Sequence, residues 1–336
     1  MSPMPFIRST IIALGLLLVV AGIAVPANAQ QSSPTVPVGG PVSEQQLLHQ
    51  NSQIKGLISI PDEKAAVLMQ PRGREWRAYH ENILPWIASI FIFGMLALLA
   101  AFLLWRGRLR ITSGFAGIKI LRFNSFERFM HWLTATCFVI LAITGLNIAF
   151  GKTLLLPLIG NQAFTSASQW GKYAHDFLAW PFMFGIALML IVWIKDNVPN
   201  RIDWNWLKAG GGFFDDQHPP AERFNAGQKL IFWTVVIGGV LLSISGLFLL
   251  FPFAAFGIAG MQVVQVVHGF IAVVMIAIIL AHIYIGTIGM EGAFEAMGTG
   301  EVDLAWAKEH HALWVAEEQA KEGQRASPAQ APAAAE

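Results

Sequence analysis

Four histidines, His131, His175, His268 and His282, lie at or inside the long apolar stretches of the chain. An imidazole at membrane depth is costly unless something uses it, so each is a candidate functional residue. His268 and His282 share the run VVQVVHGFIAVVMIAIILAHIYIG, fourteen residues apart. On a helix that spacing is about 21 Å of rise and a rotation of roughly −40°, so both rings point the same way. The pattern fits one helix giving an axial ligand to each of two stacked haems. Bis-histidine ligation leaves no open position on the iron, which suits electron transfer.

Composition narrows the chemistry further. Of 336 residues, 55% are hydrophobic and 13% charged, which places the chain in the membrane class. A net charge of +1 gives no case for nucleic acid. The single cysteine, Cys137, excludes a disulfide framework, a cysteine-ligated iron–sulfur cluster and covalent c-type haem attachment. Any haem is therefore non-covalent, b-type and held by histidine. Cys137 itself reads as inert packing.

The elements that must position these histidines are membrane spans. Residues 1–29 read as a signal peptide: Arg8, an apolar centre, and an A-x-A site at Ala27-Asn28-Ala29. Residues 30–84 read as an exported, partly flexible periplasmic segment. Five runs then reach spanning length, about 20 residues: roughly 85–105, 131–150, 176–194, 230–251 and 267–288. The first, with its linker to 117, is an extra transmembrane helix. The other four form an all-α bundle over 118–297, and 298–336 are a cytoplasmic tail. Loop charge sets orientation. Arg106, Arg108, Arg110, Lys119, Arg122 and Arg128 follow the first span, and Lys195, Arg201, Lys208, Arg223 and Lys229 follow the third. The other connections are poor in Lys and Arg, so the mature N-terminus is expected outside and the C-terminus in the cytoplasm. Arg72, Arg74 and Arg77 argue locally the other way. The tail carries an amphipathic pattern with Trp306, His310 and Trp314 on one face, then the low-complexity SPAQAPAAAE. No internal repeat at a fixed period is read along the chain.

Orientation gives each histidine a depth. His175 and His268 fall at the exported level, His131 and His282 toward the cytoplasmic level. Two haems at these levels would carry electrons across the bilayer. A plainer reading stands beside this one: His131 and His175 are near interfaces, where a histidine can meet water and headgroups. Gly145, Gly185, Gly269 and Gly286 would let a flat macrocycle approach, or would serve helix packing. His49, His80, His218, His310 and His311 read as solvated or interface residues.

From about 118 to 316 the chain resembles the gamma subunit, a cytochrome b, of membrane-bound respiratory formate dehydrogenase. The carrying segments are RFNSFERFMHWLTATCFVILAITGLNIAF, KYAHDFLAW, RFNAGQKLIFW, MQVVQVVHGF and AHIYIGTIGMEGAFEAMGTGEVDLAWAKEHHALW. The resemblance implies a four-helix bundle holding two haems b, with His175 and His268 on the outer iron and His131 and His282 on the inner. It implies an iron–sulfur beta subunit at the exported face, a molybdenum- or tungsten-containing alpha subunit that oxidises formate, and a quinone reduced beside the inner haem in the bacterial inner membrane. Asn225 and Gly227 of the NAGQK element are the implied quinone contacts. Asn225 with Gln228 three residues on also reads as a capping box for the fourth span. Residues 1–117 lie outside the resemblance.

Two other functions compete. One is the haem b subunit of a nickel–iron hydrogenase or thiosulfate reductase. The other is a transporter or assembly factor whose histidines bind metal or protons, although the span centres hold almost none of the Asp, Glu, Lys or Arg an ion path uses.

Overall fold

A computed structural model describes residues 73–214 and 218–326. The expected signal peptide, most of the segment expected to be exported and the terminal SPAQAPAAAE lie outside the described residues. Contacts divide the chain into two units, residues 1–73 with 251–262, and residues 74–250 with 263–336. In the first, Phe253 adopts a left-handed φ of 64°. The second holds the four histidines and the side chains around them.

Among the described residues, five helices are long and apolar enough to cross a membrane. They are α1 (Gly73–Arg106), α2 (Ser125–Leu154), α3 (Leu156–Trp193), α5 (Ala226–Leu250) and α6 (Ile258–Tyr284, continued by a π turn Ile285–Gly289). Between α3 and α5 lies the short α4 (Arg201–Lys208), and the tail forms α7 (Leu304–His310) and α8 (Ala312–Ala326). α2 and α5 start ahead of their apolar runs because polar residues cap them. Asn124 accepts from Glu127 N at 3.0 Å while Glu127 accepts from Asn124 N, a reciprocal capping box that starts α2 ahead of its apolar stretch. α1 is described from Gly73 onward, so it includes residues of the 30–84 segment expected to be exported and partly flexible. Its first turns are polar, with the Arg77–Glu81 pair at 2.8 Å, and include a π turn at Tyr79–Ile83. Gly160, at φ 77°, breaks the start of α3, and Pro181 sits inside it.

The bundle is not wholly helical. β1 (Lys119–Leu121) pairs antiparallel with β2 (Glu301–Asp303), tying the linker after α1 to the tail. Three carboxylates reinforce that tie by accepting from linker backbone N–H groups. Glu291 takes Ile111, Glu309 takes Thr112 and Ser113, and Asp303 takes Ala116 and Gly117. Burial opposes ionisation of Asp303, but N–H donors from Ala116, Ala305 and Gly117 outweigh it and hold the carboxyl below its ordinary range.

The tail departs from a single amphipathic helix. His311 breaks it, with φ −147° and ψ 47°. Trp306 and Trp314 are buried in the same apolar cluster as Phe123, Phe224 and Trp193. His311, expected to be a solvated or interface residue, is fully buried. Its Nδ1 lies 2.8 Å from Glu222 O, and the Arg122 guanidinium lies 3.0 Å from its Nε2. Burial, then the Arg122 charge, pushes the imidazole well below its usual pKa, so it is neutral. His310 is also half-buried, and burial lowers it to about 4. The helix pattern alone could not show that the tail folds back onto protein.

Cys137 is buried with Phe138, Phe182, Ile186, Leu242 and Met275 in mid-bundle. Elsewhere large apolar side chains such as Trp86, Leu104 and Ile191 face outward, as a bilayer-facing surface requires.

Candidate functional site

Each histidine of interest stands on a different wall of the bundle, apart from the two on α6. His131 is on α2, His175 on α3, and His268 and His282 on α6. The structure sets His131 against His282, ring centres 6.2 Å apart and planes at 62°. It sets His175 against His268 at 6.4 Å and 67°. Two imidazoles bonded to opposite sides of one metal have ring centres about 6 Å apart, given bonds of about 2.0 Å and roughly 1.1 Å from nitrogen to ring centre. Both pairs have that separation. Among the described residues no group of three or more His, Cys, Asp or Glu could cage a metal ion. Two opposed nitrogens on one metal would need equatorial donors from elsewhere, which a macrocycle such as haem would supply.

The two pairs differ in what supports the rings. His175 Nδ1 meets Thr144 Oγ1 at 2.9 Å, and His268 Nδ1 meets Ser245 Oγ at 2.9 Å. His131 Nδ1 is buried without a hydrogen-bond partner among the described residues. The residue after each hydroxyl is a glycine. A Cβ on Gly145 would lie 3.3 Å from His175 Cε1, and one on Gly246 3.5 Å from His268 Cε1. The expected glycine roles divide accordingly. Gly145 makes room for an imidazole, Gly185 abuts Thr134, Gly269 faces Leu84 of α1, and Gly286 borders open space. Gly246, Thr144 and Ser245 escaped the sequence reading.

These matching details expose an internal duplication. RFNSFERFMHW, opening α2, recurs as RFNAGQKLIFW, opening α5, at an offset of 101 residues. Ile143-Thr144-Gly145-Leu146 recurs as Ile244-Ser245-Gly246-Leu247 at the same offset, and His175-Asp176-Phe177-Leu178-Ala179 recurs on α6 as His268-Gly269-Phe270-Ile271-Ala272. The halves share bonding as well as letters. Asn225 and Gln228 form the same reciprocal capping box as Asn124 and Glu127. Trp132 donates Nε1 to Met297 O beyond α6, and Trp233 donates Nε1 to Asn197 O beyond α3. Related residues also meet each other: Arg122 with Arg223, Phe123 with Phe224 at 5.7 Å, and His175 with His268. Self-contact of equivalent residues marks a pseudo-two-fold axis.

That symmetry fails at one place. Phe232 corresponds to His131, and Met189 lies fourteen residues beyond His175 as His282 lies fourteen beyond His268. Both are buried in the large apolar cluster. Each half thus gives one histidine to the His131–His282 pair and one apolar residue, Met189 or Phe232, at the position related to the other half's histidine.

Asn225 and Gly227 sit at the start of α5. Asn225 Oδ1 accepts from Gln228 N at 2.9 Å, so the cap is formed. A Cβ on Gly227 would lie 3.2 Å from the Trp206 ring of α4. Close by, Lys229 is buried and bonded to Asp203 at 2.9 Å and Glu222 at 3.1 Å.

Comparison with known proteins identifies the family. The profile of prokaryotic cytochrome b561 matches residues 122–300. The formate dehydrogenase cytochrome b556(fdo) subunit of Escherichia coli K12 is 32% identical over 202 residues, covering 59% of this chain and 92% of that protein. The nitrate-inducible cytochrome b556(Fdn) subunit of the same strain is 28% identical over 214 residues, covering 62% and 95%. The formate dehydrogenase cytochrome b556 subunit of Haemophilus influenzae is 26% identical over 206 residues, covering 60% and 84%. Five apolar helices, the paired histidines and these relatives lead to one conclusion: the chain is a multi-pass bacterial membrane protein that belongs to the prokaryotic cytochrome b561 family, with formate dehydrogenase cytochrome b556 subunits as its relatives.

Proposed function

We propose that the chain is the di-haem b electron-transfer subunit of a formate dehydrogenase complex. His175 and His268 hold the outer haem and His131 and His282 the inner one. Bound haem supplies a one-electron centre at each level. The observation that carries this reading is the pair of imidazole pairs at metal-sharing separation, with no further protein donors among the described residues to complete a cage. It also disfavours a transporter with histidine-bound metal.

Loop charge supports the orientation, the relatives' names support a place in a formate dehydrogenase complex, and the rest of the proposed setting comes from the family resemblance. The N-terminus faces the periplasm and the C-terminus the cytoplasm. An iron–sulfur beta subunit delivers electrons at the outer face from a molybdenum- or tungsten-containing alpha subunit that oxidises formate. Quinone is reduced at the cytoplasmic mouth near His282, with Asn225 and Gly227 as contacts. An electron moved across the bilayer exchanges about 2.3 kcal/mol per 100 mV with the membrane potential. The relatives favour formate over hydrogen or thiosulfate as the electron source, since each is named as a formate dehydrogenase subunit.

A reduced-minus-oxidised spectrum of the purified complex tests the reading. Two b-type haems per chain, reduced by formate and reoxidised by a quinone, are expected. Their absence overturns it. Reduction by hydrogen instead of formate would move the chain to the hydrogenase branch.

A further inference from the structure

Thr144 and Ser245 occupy related positions in the two halves and do the same thing. A hydroxyl carries one proton and accepts with its lone pairs. Thr144 Oγ1 lies 2.8 Å from Ile140 O, and Ser245 Oγ lies 2.7 Å from Leu241 O. Each hydroxyl proton therefore goes to the carbonyl one turn back. The oxygen that faces the ring is left as an acceptor, so His175 and His268 donate from Nδ1–H. With Nδ1 protonated, Nε2 carries the lone pair and is the nitrogen free to bind metal. Gly145 and Gly246 let the rings lie close enough to make these bonds. His131 of the inner pair has no such partner for Nδ1 among the described residues.

We propose that Thr144 and Ser245 are positioning residues for the outer pair. They fix the tautomer and orientation of His175 and His268 and strengthen both as donors to a shared iron. A hydrogen bond to the far ring nitrogen raises ligand basicity, and second-shell hydrogen bonding is one of the means by which protein sets a haem potential. More basic ligands favour the oxidised iron, so the hydroxyls lower the potential of the outer centre alone. The proposal rests on the haem assignment given above.

The test uses the whole complex carrying Thr144→Val, Ser245→Ala or Thr144→Ser. It reads haem content, the two midpoint potentials by optical redox titration, and the low-spin haem signals by electron paramagnetic resonance. Thr144→Val and Ser245→Ala should each raise the midpoint and shift the signal of one haem, the same one in both, with the other unmoved. Thr144→Ser should restore both readings. Should Thr144→Val lose that haem outright, its retention in Thr144→Ser equally supports the hydroxyl's role. Unchanged midpoints and signals, equal movement of both haems, or haem loss shared by Val and Ser overturns the proposal. A wild-type complex without b-type haem instead removes the assignment beneath it, so the two failures are distinguishable.

Discussion

Arg122 and Arg223 donate to each other's backbone: Nη2 of Arg122 reaches Arg223 O at 2.5 Å, and Nη2 of Arg223 reaches Arg122 O at 3.2 Å. They are related residues of the duplicated halves, so the exchange resembles the contact of a two-fold dimer folded into one chain. Their surroundings differ. Arg223 pairs with Glu127 at 2.6 Å and Asp196 at 2.7 Å. Arg122 is buried against Phe123, Trp306 and Trp314. Burial, then the Arg223 charge, lowers Arg122 to about 9, with Glu127 pulling the other way.

Arg223→Ala should therefore be costly. It leaves the buried Glu127 carboxylate with Trp193 Nε1 and its capping contacts but without a cation. Removing one partner of a buried pair costs about 3–5 kcal/mol. Thermal unfolding of the solubilised protein should show a lowered midpoint, and Arg223→Lys should recover part of it.

Replacing single histidines should remove haems one at a time. His282→Ala is expected to lose the inner haem and keep the outer, and His175→Ala the reverse. Haem-to-protein ratios of one in each variant, against two in the parent, are the expected result. Met189→Ala and Phe232→Ala, at the related apolar position, should keep both haems and instead cost about 2–5 kcal/mol of stability.

Asn225 separates two roles. Asn225→Ser keeps a capping side chain, whereas Asn225→Ala loses about 1 kcal/mol of cap. If Asn225 also bonds a quinone carbonyl, both variants should raise the KM for quinone while haem content holds. Unaltered quinone kinetics in Asn225→Ala removes the binding role and leaves the cap.

Acid should loosen the tail. His311 is held neutral in the fold, its pKa depressed by burial and by Arg122, while unfolded histidine titrates near about 6.5. Above that value both states are neutral and His311 contributes no pH dependence. Below it the undocked state takes up the proton, and docking weakens by up to about 1.4 kcal/mol per pH unit. Hydrogen exchange of α7 and α8 should accelerate as pH falls below about 6.5. His311→Gln should flatten that response.

The sequence showed the spans and the histidines because apolar runs are long and an imidazole inside one is conspicuous. It showed the Asn225 cap because the motif is local. The duplication was harder to see. Its signature lies in a few polar positions, the apolar ones interchange freely among Leu, Ile and Val, and the hydroxyl-to-histidine distance is 31 residues in one half and 23 in the other. No single period fits both. Thr144 and Ser245 were inconspicuous because a helical hydroxyl ordinarily satisfies itself on its own backbone. The burial of His311 depends on Arg122, 189 residues away in the chain, which no helical pattern can report.

On the proposed haem assignment, Phe232 and Met189 decide how many routes leave the His175–His268 centre. A pair placed on the axis is equidistant from both halves, and a fully symmetric chain would present it with two onward branches. With one branch filled by an aromatic ring and a thioether, such a conductor would be linear. Traffic through His175 and His268 would not be divided, and one terminus, at His131 and His282, would suffice.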